Sequence, residues 1–316
     1  MDYRNLGQTG IKVSELCFGS LPMGPLQANL PMEEGSRLIR EALERGINFI
    51  DTAELYKTYD YIAGAIKGFS GEVVIASKST TDTYEGMEKA IQDALKVLNR
   101  EVIDIFHLHA ARVSADVFEK RAGAFECLVK YKEKGYIKAV GISTHNVKTI
   151  ERSAEVPEVD IVYPIINKVG RGILEGTTED MIAAIDKCHK AGKGLYAMKV
   201  LAGGNLVGEL LDAVNFVRDI KGIDCVSMGM INMEELELNL KIFNNEEIVP
   251  DMLPAAVNAK KLFIFETFCK KCGACVDTCP NGALYMGEDS VKVKHDECLL
   301  CAYCYPVCPE FAIRMI

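Results

Sequence analysis

Eight of the chain's 12 cysteines fall into two runs with a single spacing. Cys269, Cys272, Cys275 and Cys279 precede Pro280 as C-x2-C-x2-C-x3-C-P, and Cys298, Cys301, Cys304 and Cys308 precede Pro309 in the same way, each 29 residues after its counterpart. Ala283 and Ala312 keep the same offset. A repeat this short reads as two copies of one small unit, each too small to fold without an inorganic core. Thiolates at this spacing are ligands of 4Fe-4S clusters. A pair of four-thiolate zinc sites is the competing reading, but those favour paired C-x2-C motifs over triples that end in C-x3-C-P. The remaining cysteines, Cys17, Cys127, Cys188 and Cys225, stand singly in apolar surroundings and read as core residues.

The doubled run resembles the bacterial ferredoxin domain, in which the fourth cysteine of each run ligates the other cluster. That resemblance assigns Cys269, Cys272, Cys275 and Cys308 to one cluster and Cys298, Cys301, Cys304 and Cys279 to the second. Free thiols in such number suit a reducing compartment. Met1 to Gly10 shows no basic segment leading into an apolar core, and no stretch of about 18 apolar residues occurs. The expectation is a cytoplasmic protein with no membrane partner. A net charge of -9 leaves no basic surplus to neutralise phosphates, which argues against a nucleic-acid partner.

With 316 residues, 49% of them apolar, the chain can bury one large core and one small one. Its first 245 residues alternate short apolar runs with amphipathic stretches. The runs lie at Glu15 to Gly19, Ile47 to Ile50, Val73 to Ala76, Ile103 to Leu108, Ile137 to Ile142, Asp160 to Ile165, Gly194 to Met198 and Asp224 to Met228. Between them, Met32 to Arg45, Tyr84 to Leu98, Val117 to Lys134 and Met181 to Lys190 space apolar residues by three and four. Eight such units predict an α/β fold, a (β/α)8 TIM barrel, followed by a small α+β ferredoxin-like domain. An open doubly wound sheet is the alternative, but no G-x-G-x-x-G follows the first strand. Gly7 and Gly10 sit at turn-like spacing in Tyr3 to Val13, as a hairpin closing the barrel bottom would require. The expected division is a barrel over 1-245, a docking linker over 246-262 and the ferredoxin-like domain over 263-316. The linker reading rests on Ile248, Val249, Leu253, Val257, Leu262, Phe263, Ile264 and Phe265, too apolar for a free tether, which should hold the module against the C-terminal mouth of the barrel.

Barrel chemistry sits at the C-terminal ends of strands. Asp51, Lys78 and His109 fall at the exits of three consecutive runs, with Tyr56 just beyond Asp51. Singly these read as a helix cap, a solvated lysine, a satisfied histidine and a packed aromatic; together they make a convergent acid-base set.

The chain resembles the aldo-keto reductase family through Tyr3-Arg4-Asn5-Leu6-Gly7, Phe18-Gly19, Asn48 to Tyr56, Ser77-Lys78, Asp104 to His109, Gly141-Ile142-Ser143, Leu201-Ala202-Gly203-Gly204 and Glu234 to Asn239. The resemblance implies that Asp51, Tyr56, Lys78 and His109 form a catalytic tetrad for hydride exchange between a nicotinamide and a carbonyl or alcohol. Tyr56 would be the acid, its phenol lowered by Lys78, with Asp51 holding Lys78 and His109 orienting the carbonyl. It further implies cofactor contacts from Ser143, Thr144, Met198, Lys199, Gly229, Asn232 and Asn239. Three departures stand out. Ser143 is followed by Thr144 and His145 where Ser-Asn is usual, Met198 stands where an aromatic ring usually stacks, and Met230-Ile231-Asn232-Met233 offers no cation for a 2'-phosphate. These favour NADH over NADPH. The chain is thus expected to act on a small-molecule carbonyl, with a redox protein partner for two 4Fe-4S clusters. The alternative is an electron carrier whose barrel is a docking surface. A flavin linking clusters to hydride has no visible motif.

Overall fold

The computed structural model describes residues 1–254, 261–310 and 312–315. It opens with a hairpin in which β1 (Tyr3–Asn5) runs antiparallel to β2 (Lys12–Ser14). Eight parallel strands follow: β3 (Leu16–Gly19), β4 (Phe49–Asp51), β5 (Val74–Ser79), β6 (Ile103–His109), β7 (Ile137–Thr144), β8 (Ile161–Pro164), β9 (Gly194–Ala197) and β10 (Cys225–Gly229). They pair in chain order, and β10 closes the barrel on β3. Each predicted run contains its strand to within a few residues, and the strands of β5 to β7 continue past the apolar letters. Ladder pairs Ser79 with Leu108 and His109 with Ser143 show why. Polar residues end the apolar pattern, yet their backbones still belong to the sheet, so Lys78 and His109 are strand residues rather than loop residues.

Parallel neighbours need crossovers, and helices supply them: α1 (Met32–Glu44), α2 (Tyr59–Ile66), α3 (Tyr84–Val97), α4 (Val117–Lys120), α5 (Ala122–Glu133), α6 (Val147–Ser153), α7 (Thr178–Lys190), α8 (Leu210–Arg218) and α9 (Met233–Phe243). In α1 the buried Leu38, Ile39, Ala42 and Leu43 form the stripe facing the sheet, and Glu33 and Glu34 complement the dipole in the first turn. The stretch Val117 to Lys134 divides into α4 and α5 because Arg121 leaves helical geometry, with φ -118 and ψ 33. Its guanidinium donates to the His109 carbonyl at 2.9 Å, so the break ties a helix terminus to the end of β6.

The hairpin lies where the strands begin. Leu6 is fully buried, the Gly7 amide donates to Asp224 Oδ2 at 3.1 Å, and Gln8 N donates to the Gly192 carbonyl. Gly7 has φ +51, and a Cβ there would fall 2.4 Å from Gly194 N, so glycine is required twice over.

After the barrel come β11 (Leu262–Ile264), α10 (Ala274–Thr278), β12 (Leu284–Met286), β13 (Val291–Val293) and β14 (Ile313–Met315); β11 pairs antiparallel with β14, and β12 with β13. Leu262, Ile264, Leu284, Val291 and Ile313 pack among the cysteines as a core separate from that of the barrel. The expected linker contacts are only partly made. Ile248 and Leu253 pack on the barrel, Leu262 and Ile264 belong to the module's own core, and Val249, Phe263 and Phe265 are exposed. Val257 lies outside the described residues. Among the described residues, no helix is long and apolar enough to cross a membrane.

Candidate functional site

At the C-terminal mouth of the barrel, parallel register places Lys78 of β5 above Ala76, the partner of Asp51. The Lys78 ammonium donates to Asp51 Oδ1 at 2.8 Å, to Asp51 Oδ2 at 2.7 Å and to the Thr52 carbonyl at 2.7 Å. Its three protons thus meet three acceptors. Both side chains are almost fully buried. Burial raises the Asp51 carboxyl and lowers the Lys78 ammonium from their ordinary pKa values, and the attraction between them opposes both shifts. Lys78→Met, which leaves Asp51 without its cation, is expected to destabilise the barrel by about 3–5 kcal/mol. Chemical denaturation followed by circular dichroism would measure this, and a loss below about 1 kcal/mol would mean that the pair is not a structural keystone.

Beneath the pair lies a layer that the motifs do not reveal. The Tyr196 hydroxyl donates to Asp51 Oδ1 at 3.0 Å and sits 2.7 Å from His107 Nε2, while Tyr163 stacks on Tyr196 with centroids 3.8 Å apart. Three aromatic side chains therefore orient Asp51 from below. Their trace in the sequence is the occurrence of polar rings inside buried strands, where aliphatic residues would serve packing alone.

Tyr56 ends a short turn after β4, and its ring centroid lies 4.8 Å from Lys78 Nζ. His109 ends β6, with its ring centroid 6.2 Å from that of Tyr56 in an edge-on pose. Burial and the Lys78 charge push the His109 imidazole well below its ordinary range, so it is neutral. The expected lowering of the Tyr56 phenol is reversed. Burial raises it well above its usual value, and the neighbouring Tyr303 adds to the rise.

Tyr303 was not among the expected site residues, and it is central to the geometry. It stands between Cys301 and Cys304, and its hydroxyl donates to the Tyr56 hydroxyl at 3.2 Å and lies 3.3 Å from His109 Nε2. The loop that carries it covers the mouth. Leu299, 4% exposed, joins the barrel's own core. A Cβ at Gly203 would fall 2.3 Å from the Leu299 carbonyl oxygen, and one at Gly172 would fall 2.6 Å from Leu299 Cδ1. Gln27 Nε2 donates to the Leu300 carbonyl at 3.2 Å, Arg112 Nη1 to the Cys279 carbonyl at 2.6 Å, and His145 Nδ1 lies 3.0 Å from Asn281 Oδ1. The cue in the sequence was a tyrosine between Cys301 and Cys304, which the ligand spacing does not call for.

The expected nicotinamide contacts fall into two groups. Ser143, Thr144 and Met198 are buried at the ends of β7 and β9. Lys199, in left-handed backbone at φ +57, points its ammonium toward the Tyr303 ring, 6.0 Å from the centroid. On the other side, Gly229 and Asn232 are exposed, with the Asn232 side chain engaged as the N-cap of α9. Asn239 donates to the Glu235 carbonyl, and its buried Oδ1 has no partner among the described residues. On the α9 side Asn232 is thus engaged within its own helix, and on the Ser143 side the module meets His145, the residue after Thr144, through Asn281.

Cys269, Cys272, Cys275 and Cys308 line one cavity of the module, and Cys279, Cys298, Cys301 and Cys304 line the other. The fourth cysteine of each run thus lies with the other run's three. The amides of Ala283 and Ala312 donate to the sulfurs of Cys279 and Cys308, both at 3.3 Å, which gives the repeated alanines one task in both halves. Val291 N donates likewise to Cys269 Sγ at 3.5 Å. Sulfurs that accept backbone amides around a cavity suit cluster thiolates. Among the described residues no three His, Cys, Asp or Glu side chains close on a single ion. Cys17, Cys127, Cys188 and Cys225 are buried in the barrel as expected.

Residues 15–238 match the family model described as the aldo/keto reductase family, and residues 268–312 match the 4Fe-4S dicluster domain. Among curated proteins, the uncharacterized oxidoreductase YrpG of Bacillus subtilis is 24% identical over 260 residues, spanning 74% of this chain and 77% of that protein. The methylglyoxal reductase DkgA of Escherichia coli is 27% identical over 195 residues, 57% of this chain and 67% of DkgA. Among solved structures, the holo form of aldo-keto reductase AKR11C1 from Bacillus halodurans superposes with a TM-score of 0.66 at 19% identity, covering 82% of this chain and 98% of that one.

Proposed function

This chain belongs to the aldo/keto reductase family, as an oxidoreductase with a 4Fe-4S dicluster domain, and from that premise we propose that it exchanges a hydride between a nicotinamide and a small carbonyl or alcohol at Asp51, Tyr56, Lys78 and His109. One observation carries this reading: a hydroxyl oxygen, that of Tyr303, sits within hydrogen-bond reach of both Tyr56 and His109. The two side chains are therefore spaced to hold one oxygen between them, as a carbonyl-reducing site needs.

When a carbonyl takes that place, His109 donates from Nε2 to its oxygen and fixes its direction. Tyr56 gives the proton that the developing alkoxide requires. Lys78 stands over the Tyr56 ring and steadies the charge left on the phenol, while Asp51, braced by Tyr196, keeps Lys78 in place. Ser143, Thr144, Met198, Lys199, Gly229, Asn232 and Asn239 would hold the nicotinamide, which when bound would supply or take the hydride. Cys269, Cys272, Cys275 and Cys308 would hold one cluster and Cys279, Cys298, Cys301 and Cys304 the other, and the pair would supply one-electron transfer to a redox partner. NADH is the favoured donor, because Ile231 and Asn232 offer no cation for a 2'-phosphate.

Anaerobically prepared protein is expected to contain about eight iron and eight sulfide per chain; stoichiometric zinc without sulfide would contradict this. Mixed with NADH or NADPH and a panel of small aldehydes and ketones, it should oxidise nicotinamide only when a carbonyl is present, with NADH at least as effective. The cover over the mouth favours a second reading, that of an electron carrier whose barrel is a docking surface. Absence of carbonyl-dependent oxidation in every variant described below would select it.

A further inference from the structure

We propose that the second cysteine loop, Cys298 to Cys304, is an internal ligand of the barrel's reaction site, and that it must leave the mouth before nicotinamide and carbonyl can bind. This deepens, and rests on, the hydride-exchange reading above.

Three placements carry the proposal. The Tyr303 hydroxyl makes the two contacts that a substrate oxygen would make, to Tyr56 and to His109. Its ring fills the space around them, packed with Leu26 and Ala53, so no second molecule shares it. Leu299 enters the barrel's core against Gly172 and Gly203, its backbone so close to Gly203 that a Cβ there would fall 2.3 Å from the Leu299 carbonyl oxygen, and so lies over the loops that follow β8 and β9. Asn281 binds His145, which follows the Ser143-Thr144 pair expected to hold the nicotinamide. Both halves of the reaction site, that for the carbonyl oxygen and that for the ring delivering the hydride, are therefore filled by one module.

Apolar packing of Leu299 and Tyr303 and a set of polar contacts together hold the loop down. Arg112 and Gln27 reach the Cys279 and Leu300 carbonyls from the barrel side, and neither belongs to the tetrad or to the cysteine set. Two occupants that exclude each other are linked: whatever weakens docking tightens ligand binding. Because the loop is also the strand of chain that holds three ligands of the second cluster, the state of that cluster and the openness of the mouth are joined through one segment.

The test uses the full-length chain with clusters assembled anaerobically and iron content matched between variants. NADH affinity is measured by nicotinamide fluorescence for the wild type, for Arg112→Ala combined with Gln27→Ala, and for Tyr303→Ala. Hydrogen exchange across Leu299 to Tyr305 is followed with and without NADH. Both variants are expected to bind NADH at least fivefold more tightly than the wild type, and NADH is expected to speed exchange in the loop. If all three proteins bind NADH with equal affinity and loop exchange does not change, the competition is refuted while the hydride-exchange reading stands. If none binds NADH, even with Tyr303 removed, the hydride-exchange reading falls and the competition falls with it. The double variant keeps the test sound should Tyr303→Ala disturb cluster assembly.

Discussion

Tyr56→Phe is expected to lower carbonyl turnover by ~100-fold or more while leaving nicotinamide affinity the same or slightly tighter. The substitution removes one oxygen from a ring whose packing is otherwise kept, so a large loss in turnover reports a missing proton donor. The small gain in affinity follows because Tyr303 loses one of its two partners at the mouth. Steady-state kinetics with saturating carbonyl, together with direct NADH titration, separates the two effects. Near-normal turnover would demote Asp51, Tyr56, Lys78 and His109 to architecture.

Cys279→Ala is expected to remove the cluster of the second run and spare that of its own sequence neighbours. Cys279 lines the cavity of Cys298, Cys301 and Cys304, while Cys308 crosses to Cys269, Cys272 and Cys275. Iron should fall from about eight to about four per chain, with the surviving cluster unaltered by electron paramagnetic resonance. The two fourth cysteines should also differ in their effect on the barrel. Losing the second cluster loosens the loop that bears Leu299 and Tyr303, so Cys279→Ala should expose the mouth, whereas Cys308→Ala should leave it covered. If the surviving signal is that of the second run, the crossed ligation is wrong.

Much of this was legible in the sequence because it is periodic. Eight apolar runs at barrel spacing give the strands, and doubled cysteine spacing gives the module, since both are local patterns repeated along the chain. The tetrad was legible because strand exits are predictable once strands are, and titratable groups there are conspicuous. What escaped has a common cause. Tyr303, Leu299 and Asn281 touch residues more than a hundred positions away, and no local pattern reports which face of a small module will meet which face of a barrel. The apolar stretch around Val249, Phe263 and Phe265 invited a docking role by composition, yet those side chains are exposed and the cysteine loop docks instead. Tyr196 and His107 were hidden for a different reason: in a buried strand a polar ring looks like packing until its partner is known. The direction of the Tyr56 shift went wrong because the sequence supplies the neighbouring charge of Lys78 but not the burial that the docked module adds.

The most direct measurement is the fate of deuterium carried at C4 of NADH during turnover of a small aldehyde or ketone by the fully assembled protein. Transfer of the label to the former carbonyl carbon, lost in Tyr56→Phe and enhanced in the Arg112→Ala, Gln27→Ala variant, is the expected result. Oxidation of the nicotinamide with no label in the alcohol, the electrons leaving only through the clusters, would contradict hydride chemistry at the barrel mouth.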